Sequence, residues 1–302
     1  MMVAAGVLIA IYILIFSDII HRTSAAVIGA VAMITTGMLM GFYSQEEALR
    51  SIDANTILLL FGMMVVVEIL RPTGGFGYVA IRIAKMAGGS PRLLLVYLGL
   101  AVSVISMFLD NVTTIVIFAP LTLLITRILD LNPMPYLVAE AMLSNIGGTA
   151  TLVGDPPNIM IGSATDIGFN EFLFHLGPPI AVVWLFSTAL VLILFRRELV
   201  SVDGGKLVDL DERRAIKDAR GLKRGLFGLS VIILLFFTHR SFHVYPAFAV
   251  FIGLALMLAL TRPKPETLLR EVHWALLVFF AGLFVIGGGV EASGLLDLLG
   301  EE

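Results

Sequence analysis

The chain has 302 residues, 58% hydrophobic and 14% charged, with a net charge of −3 and no cysteine. A soluble globular chain carries about 25% charged residues, so this composition excludes a soluble enzyme or a nucleic-acid-binding module. It points to an all-α, polytopic transmembrane protein whose first partner is the lipid bilayer, and the missing thiols exclude cysteine nucleophiles and Cys-ligated metal centres.

A crossing helix needs about 20 mostly apolar residues. In chain order the apolar segments predict spans at 3–17, 23–41, 55–70, 91–109, 112–129, 137–160, 172–195, 225–239, 244–260 and 272–290. The first of these lacks the basic start and small-residue cleavage pattern of a removable leader. With the N-terminus outside, every basic residue except Arg50 and Arg240 falls in an inner loop. The positive-inside rule therefore orients the chain with an external N-terminus in the cell membrane. Segment 196–224 is a charged cytoplasmic linker, with one surface helix expected at 209–220. Its acidic residues weaken any polybasic lipid-binding role.

A shift of 220 residues superposes the first three spans on 223–237, 243–261 and 275–290, and brings Phe61-Gly62-Met63 onto Ala281-Gly282-Leu283. An odd number of spans precedes the second copy, so it enters the membrane inverted, an arrangement typical of secondary transporters. Three segments are expected: a first repeat at 1–195, the linker at 196–224, and the start of an inverted second repeat at 225–302. The counterpart of residues 91–160 would fall beyond Glu302. The second repeat is therefore expected to be incomplete: a fragment, a chain completed by another chain, or a repurposed half.

Two polar clusters interrupt the apolar runs. In SMFLDNVTTIVIFAP, residues 106–120, Asp110, Asn111, Thr113 and Thr114 stand together. Asp110 is either a wet residue in an exterior turn or a functional carboxylate at membrane depth, where charge is costly. In AEAMLSNIGGTATLVGDPPNIMIGS, residues 139–163, the polar and helix-weakening residues are Ser144, Asn145, Gly147, Gly148, Thr149, Thr151, Asp155, Pro156, Pro157 and Asn158. Paired glycines and prolines weaken helix, and a broken backbone survives at that depth only inside protein or along a cavity. An ion or substrate site is therefore expected here. Glu140 is either a second carboxylate of the pathway or a wet residue at the cytoplasmic mouth. Glu68 is expected to pair with Arg71, and Gly287-Gly288-Gly289 to permit close packing or a break. His21, His175, His239, His243 and His273 sit near span ends without a metal-binding pattern, and no phosphate-binding loop is present, so no cofactor is expected.

The segments 108–120 and 144–163 resemble the ion transporter superfamily, which includes ArsB arsenite permeases, NhaD sodium/proton antiporters, citrate and dicarboxylate carriers and the melanosomal P protein. The likeness extends along the chain and is strongest to the ArsB-like and P-protein branch. It implies an inverted-repeat secondary transporter with a re-entrant hairpin in each half and an asparagine-centred motif beside each hairpin tip. Asp110 to Thr113 would occupy the hairpin position, and Ser144-Asn145-Ile146 with Gly147 to Asn158 the discontinuous helix. Segments 91–109 and 112–129 would then be half-insertions, with an extra crossing to restore the topology.

By this resemblance the function is export of a small inorganic ion, arsenite or antimonite, coupled to H+ or Na+ or to an ArsA-type ATPase. The rivals are sodium/proton antiport, citrate or dicarboxylate transport, and a non-transporting membrane subunit. Proton coupling is expected at Asp110, Asp155 and Glu140 and Na+ at Asn111, Asn145 and Asp155; in the antiport reading Asp110 and Asp155 bind cation and proton in competition. Val112 and Ile146, where dicarboxylate carriers have threonine, count against that branch. A homodimer or a complementing C-terminal chain would complete the assembly.

Overall fold

The computed structural model describes residues 2–17, 19–165, 167–200 and 211–295. Among them are fourteen α-helices and no strand: α1 (Met2–Phe16), α2 (Arg22–Met40), α3 (Gln45–Arg50), α4 (Ala54–Leu70), α5 (Gly75–Ala87), α6 (Pro91–Ser106), α7 (Asn111–Ile128), α8 (Met134–Thr149), α9 (Pro156–Thr165), α10 (Phe169–Leu194), α11 (Ala219–Thr238), α12 (Pro246–Thr261), α13 (Pro265–Glu271) and α14 (Trp274–Ala292). Six are long and apolar enough to cross a membrane: α2, α4 with its following turn, α7, α10, α11 and α14. Helices α1, α6 and α12 are apolar but shorter.

Every predicted span contains helix, and three helices were not predicted. Helices α3 and α13 are too short for a hydropathy window. Helix α5 is amphipathic, burying Ala80, Ile83, Ala84 and Ala87 while Arg82 and Lys85 lie on another face. Local chemistry sets many ends. Ser44 and Glu47 form a reciprocal capping box on α3. Ser90 caps α6 with Pro91 in the first turn, and Gly41 takes the left-handed conformation (φ 73°) that ends α2.

The 220-residue shift carries the first residue of α3 onto that of α13, and the first residue of α4 onto that of α14. The packing repeats as well. A methyl on Gly62 of α4 would lie 2.6 Å from Val250 of α12, and one on Gly282 of α14 would lie 3.0 Å from Ala26 of α2. In each copy, the glycine of the third long helix admits the second long helix of the other copy.

By packing, the chain divides into two compact units, Met1–Phe61 with Val272–Glu302, and Gly62–Glu271. In the first, α14 lies against α2 and α1 over a core that includes Ala4, Ile11, Met33, Tyr43, Ile286 and Val290. The Tyr43 hydroxyl donates to Val285 O at 2.9 Å. Gly288 and Gly289 face Ser51, Tyr43 and Met33 at distances too short for any side chain. Gly288 and Gly289 thus serve close packing, a methyl on Gly287 would meet nothing within 4 Å, and α14 runs unbroken through all three.

In the second unit the end of the linker is strapped to α5. A single 3-10 turn at Glu212–Ala215 stands where a surface helix at 209–220 was expected; residues 201–210 lie outside the described residues. Helix is displaced by competing contacts: the Lys217 and Asp218 amides donate to Thr73 O at 2.9 and 3.3 Å. Glu212 pairs with Lys85 at 2.6 Å and Arg82 at 3.3 Å. The Lys85 hydrogen bond, first among the causes, pulls the Glu212 carboxyl down to about 2. A depressed carboxyl stabilises the strap fully above its unfolded value of about 4.3, and the stabilisation is lost as pH falls toward about 2. Docking is therefore expected to be constant from neutral pH down to about 5 and weakened by salt. Hydrogen exchange of 211–218 should rise in a Glu212→Gln variant at pH 7, and an unchanged rate would show that the backbone bonds to Thr73 suffice.

The same unit carries a helical hairpin, α6–α7, against α8 and α10. The ties between α6 and α8 ascend together along both helices, so the two run parallel. Tyr136 donates to Pro91 O at 3.3 Å, Ser106 Oγ to Ser144 O at 2.8 Å, and Thr151 Oγ1 to Met107 O. Helix α10 returns antiparallel: Asn132, before α8, bonds Glu198, just past α10, and the Trp184 indole donates to Ser103 Oγ at 2.8 Å. With 26 residues, α10 is about 39 Å long. Trp184 lies about 15 Å from its C-terminal end, and Met107 one turn beyond Ser103. The hairpin tip therefore sits about halfway along a full-length span. This corrects the prediction of two complete crossings at 91–109 and 112–129: both arms enter and leave on one side. A hairpin changes the side of the chain no more than two crossings do, so no extra crossing is needed.

Candidate functional site

The site forms where the hairpin tip, residues 107–110, meets the break between α8 and α9, residues 150–155. Glycine makes the approach close. A methyl on Gly147 would lie 2.6 Å from Ser103 Cα, and one on Gly154 2.6 Å from Ser106 O. Gly148 in turn faces the Gly154 backbone. Ser103 shares its proton between Gly99 O at 2.7 Å and Leu143 O at 2.8 Å. Pro156 and Pro157 open α9, where a missing N–H costs nothing.

Asp110 is buried at 6% exposure, which removes the wet exterior turn. It caps α7: Oδ1 accepts from the Thr113 amide at 2.9 Å, and Oδ2 from the Thr113 hydroxyl. Thr114 Oγ1 donates to Asp110 O at 2.9 Å. Next along α7, the Asn111 amide donates to Asn145 Oδ1, and Asn145 Nδ2 donates to Ala141 O at 2.9 Å. Asn145 is exposed and Asn111 half-buried, so this pair spans α7 and α8 at an accessible place. Asp155, half-buried at the start of α9, has Asp110 as its electrostatic neighbour.

Other candidates take structural positions. Ser144 and Thr149 hydroxyls donate back to Ala141 O at 3.1 Å and Asn145 O at 2.8 Å within α8. Asn158 is buried, its amide nitrogen within reach of Gly148 O, Thr149 O and Thr151 O at 3.3, 3.4 and 2.9 Å. It closes the carbonyl end of α8, groups a helix terminus leaves unsatisfied. Glu140 is 1% exposed, which removes the wet-mouth alternative, and accepts from the Thr122 hydroxyl.

Asn111, Asn145, Asp155 and Asp110 therefore come together at the tip. Gly147, Gly148, Thr113, Thr114, Ser144, Thr149 and Asn158 build its frame. Sequence reasoning missed Ser103, Ser106, Thr122 and Trp184. The signal available was the small-residue stripe Gly99, Ser103, Ser106, spaced to face one neighbour on a helix.

Elsewhere, Glu68 pairs with Arg71 at 3.2 Å as expected. His21 caps α2, and His239 accepts from the Phe169 amide at 3.2 Å.

Two helix N-termini, of α7 and α9, and the carbonyl end of α8 converge on this tip. N-termini attract anions, yet each carries an aspartate. Among the described residues no lysine, arginine or histidine forms an ion pair with Asp110 or Asp155. Carboxylates and side-chain amides suit a cation or a neutral hydroxylated solute.

The citrate transporter (CitMHS) family model matches residues 12–302. The chain is 39% identical over 303 residues to a 46 kDa membrane protein of Mycobacterium leprae, covering 98% of this chain and 70% of that one. It is 37% identical over 301 residues to an uncharacterized transporter of Mycobacterium tuberculosis, with 98% and 69% covered. The human P protein is 28% identical over 375 residues, with 99% of this chain but 45% of that protein covered. Taken with its apolar helices and re-entrant hairpin, this likeness makes the chain a multi-pass membrane transporter of the CitMHS citrate transporter family.

Proposed function

We propose that the chain carries a small inorganic solute, arsenite or antimonite, outward by secondary active transport coupled to H+ or Na+. The observation that supports this is the tip itself: Asn111, Asn145 and Asp155 beside Asp110, with no basic side chain among the described residues paired to either carboxylate. A trianion such as citrate would meet like charge there, whereas a neutral hydroxylated solute finds amide and carboxylate partners. The repeat, at 1–195 and 225–302 around the linker, supplies the two moving parts of alternating access. The chain sits in the cell membrane with the N-terminus outside. The hairpin leaves that orientation intact, because Arg92 and Arg127 still flank it on one side.

The test is flux in proteoliposomes of the full chain. Arsenite uptake against a pH or sodium gradient, lost in Asn145→Ala and Asp155→Ala, is the expected result. Citrate flux without arsenite flux would overturn it. The two aspartates favour a second reading, sodium/proton antiport, whose mark is sodium-driven pH change without solute flux.

A further inference from the structure

Glu140 lies within the α7–α8 interface, set back from the tip. Its Oε1 takes the Thr122 hydroxyl, and its Oε2 is buried without any hydrogen-bond partner. The helices packed on α8 are α6, α7 and α10. Among the described residues none presents a charge to it. Arg92 of α6 and Arg127 of α7 are exposed near the helix ends. On α10, Glu171 is paired with Arg240 and His175 bonds Glu171 O, both in the first two turns. Tyr136, one turn earlier on α8, donates away to Pro91 O. An ionised carboxylate here would leave one oxygen in apolar surroundings with neither donor nor cation, which is costly.

We infer that Glu140 is the proton-binding group of the transport cycle, holding its proton while α7 is packed on α8 as described and releasing it when the two helices part. The step is a simple acid dissociation. The Oε2–H bond breaks, its electron pair stays on the carboxylate, and the proton passes to water that reaches Oε2 only after the interface opens. The Thr122 hydroxyl remains on Oε1 and stabilises the ionised form. The site is placed for coupling because the same two helices carry the Asn111–Asn145 pair at the tip. Solute that enters between Asn111 and Asn145 replaces their mutual bond, parts α7 from α8 and admits water to Glu140, so solute binding displaces the proton, as outward transport against proton entry requires. This deepens the transport reading by naming the residue that couples it to protons.

The full chain, reconstituted with an internal pH dye, separates the two claims. Glu140→Gln keeps the neutral shape and one polar partner for Thr122. Solute exchange is expected to persist while solute-driven proton movement falls to the leak of empty liposomes. Proton movement at the wild-type rate in Glu140→Gln would overturn the inference and leave the transport reading intact. Thr122→Val is the second variant: it removes the donor to the carboxylate, so the pH midpoint of proton movement should shift upward, and an unshifted midpoint would count against the role. Infrared difference spectra on raising pH test the group without any flux. A protonated-carboxyl band that vanishes in the wild type and is missing from Glu140→Gln supports the inference, and the same band in both proteins overturns it. Should the wild type move neither solute nor proton, the transport reading fails while this band still decides whether Glu140 holds a proton.

Discussion

Alanine at Gly147 is expected to cost about 3 kcal/mol of stability, the upper range for overpacking a tight interface. Its methyl would lie 2.6 Å from Ser103 Cα and 2.8 Å from the Ser103 carbonyl carbon. Those atoms are backbone, so no rotamer change relieves the contact. Helices α6 and α8 would have to separate, lengthening the bonds from Ser103 to Leu143 O and from Ser106 to Ser144 O, both 2.8 Å. Both hydroxyls are buried, so each lost bond adds a desolvation penalty of about 1–3 kcal/mol unless the helices readjust. Trp184 bonds to Ser103, so its fluorescence should report the loss directly. Thermal unfolding in detergent gives the measurement, with Gly287→Ala as control. A methyl at Gly287 meets nothing within 4 Å, and alanine there gains up to about 1 kcal/mol of helix preference. Equal midpoints for the two variants would show that α6 and α8 are not held as closely as described.

Asp110→Ala should lower stability by about 2 kcal/mol, at the top of the range for losing an N-cap. The Thr113 amide and hydroxyl both lose their acceptor, and they lie in a buried turn. Asparagine caps nearly as well as aspartate, so Asp110→Asn separates shape from charge. If Asp110 serves only as the cap, Asp110→Asn should unfold near the wild-type temperature and retain flux. If its charge takes part with Asp155 in holding a cation, the variant should unfold normally and lose sodium or proton coupling. Loss of stability in Asp110→Asn as large as in Asp110→Ala would contradict the capping geometry.

Much of the architecture can be read along the chain because hydropathy is a local sum. Ten apolar segments gave ten helical regions. The break after α8 was legible in Gly147-Gly148 and Pro156-Pro157, whose backbone preferences act within a few residues. The 220-residue spacing was legible in the spans, and the first residues of α3 and α13 fall in the same register. These short helices, with amphipathic α5, escaped notice because none fills a membrane-length window.

Depth and burial belong to another level. Residues 91–106 and 111–128 are apolar enough to cross a bilayer, and their composition says nothing about where they turn back. Only the contact of Trp184 with Ser103, against the full length of α10, places that turn at mid-span. Asp110 and Glu140 looked alike as carboxylates that were either wet or functional. Packing made one a helix cap and left the other with an orphaned oxygen. Asn158, a candidate ligand in the sequence, has its amide at the carbonyls of α8 in the fold. Local chemistry determines which segments enter the membrane and where a helix weakens, whereas the partner of a buried polar group comes from chain segments tens of residues away.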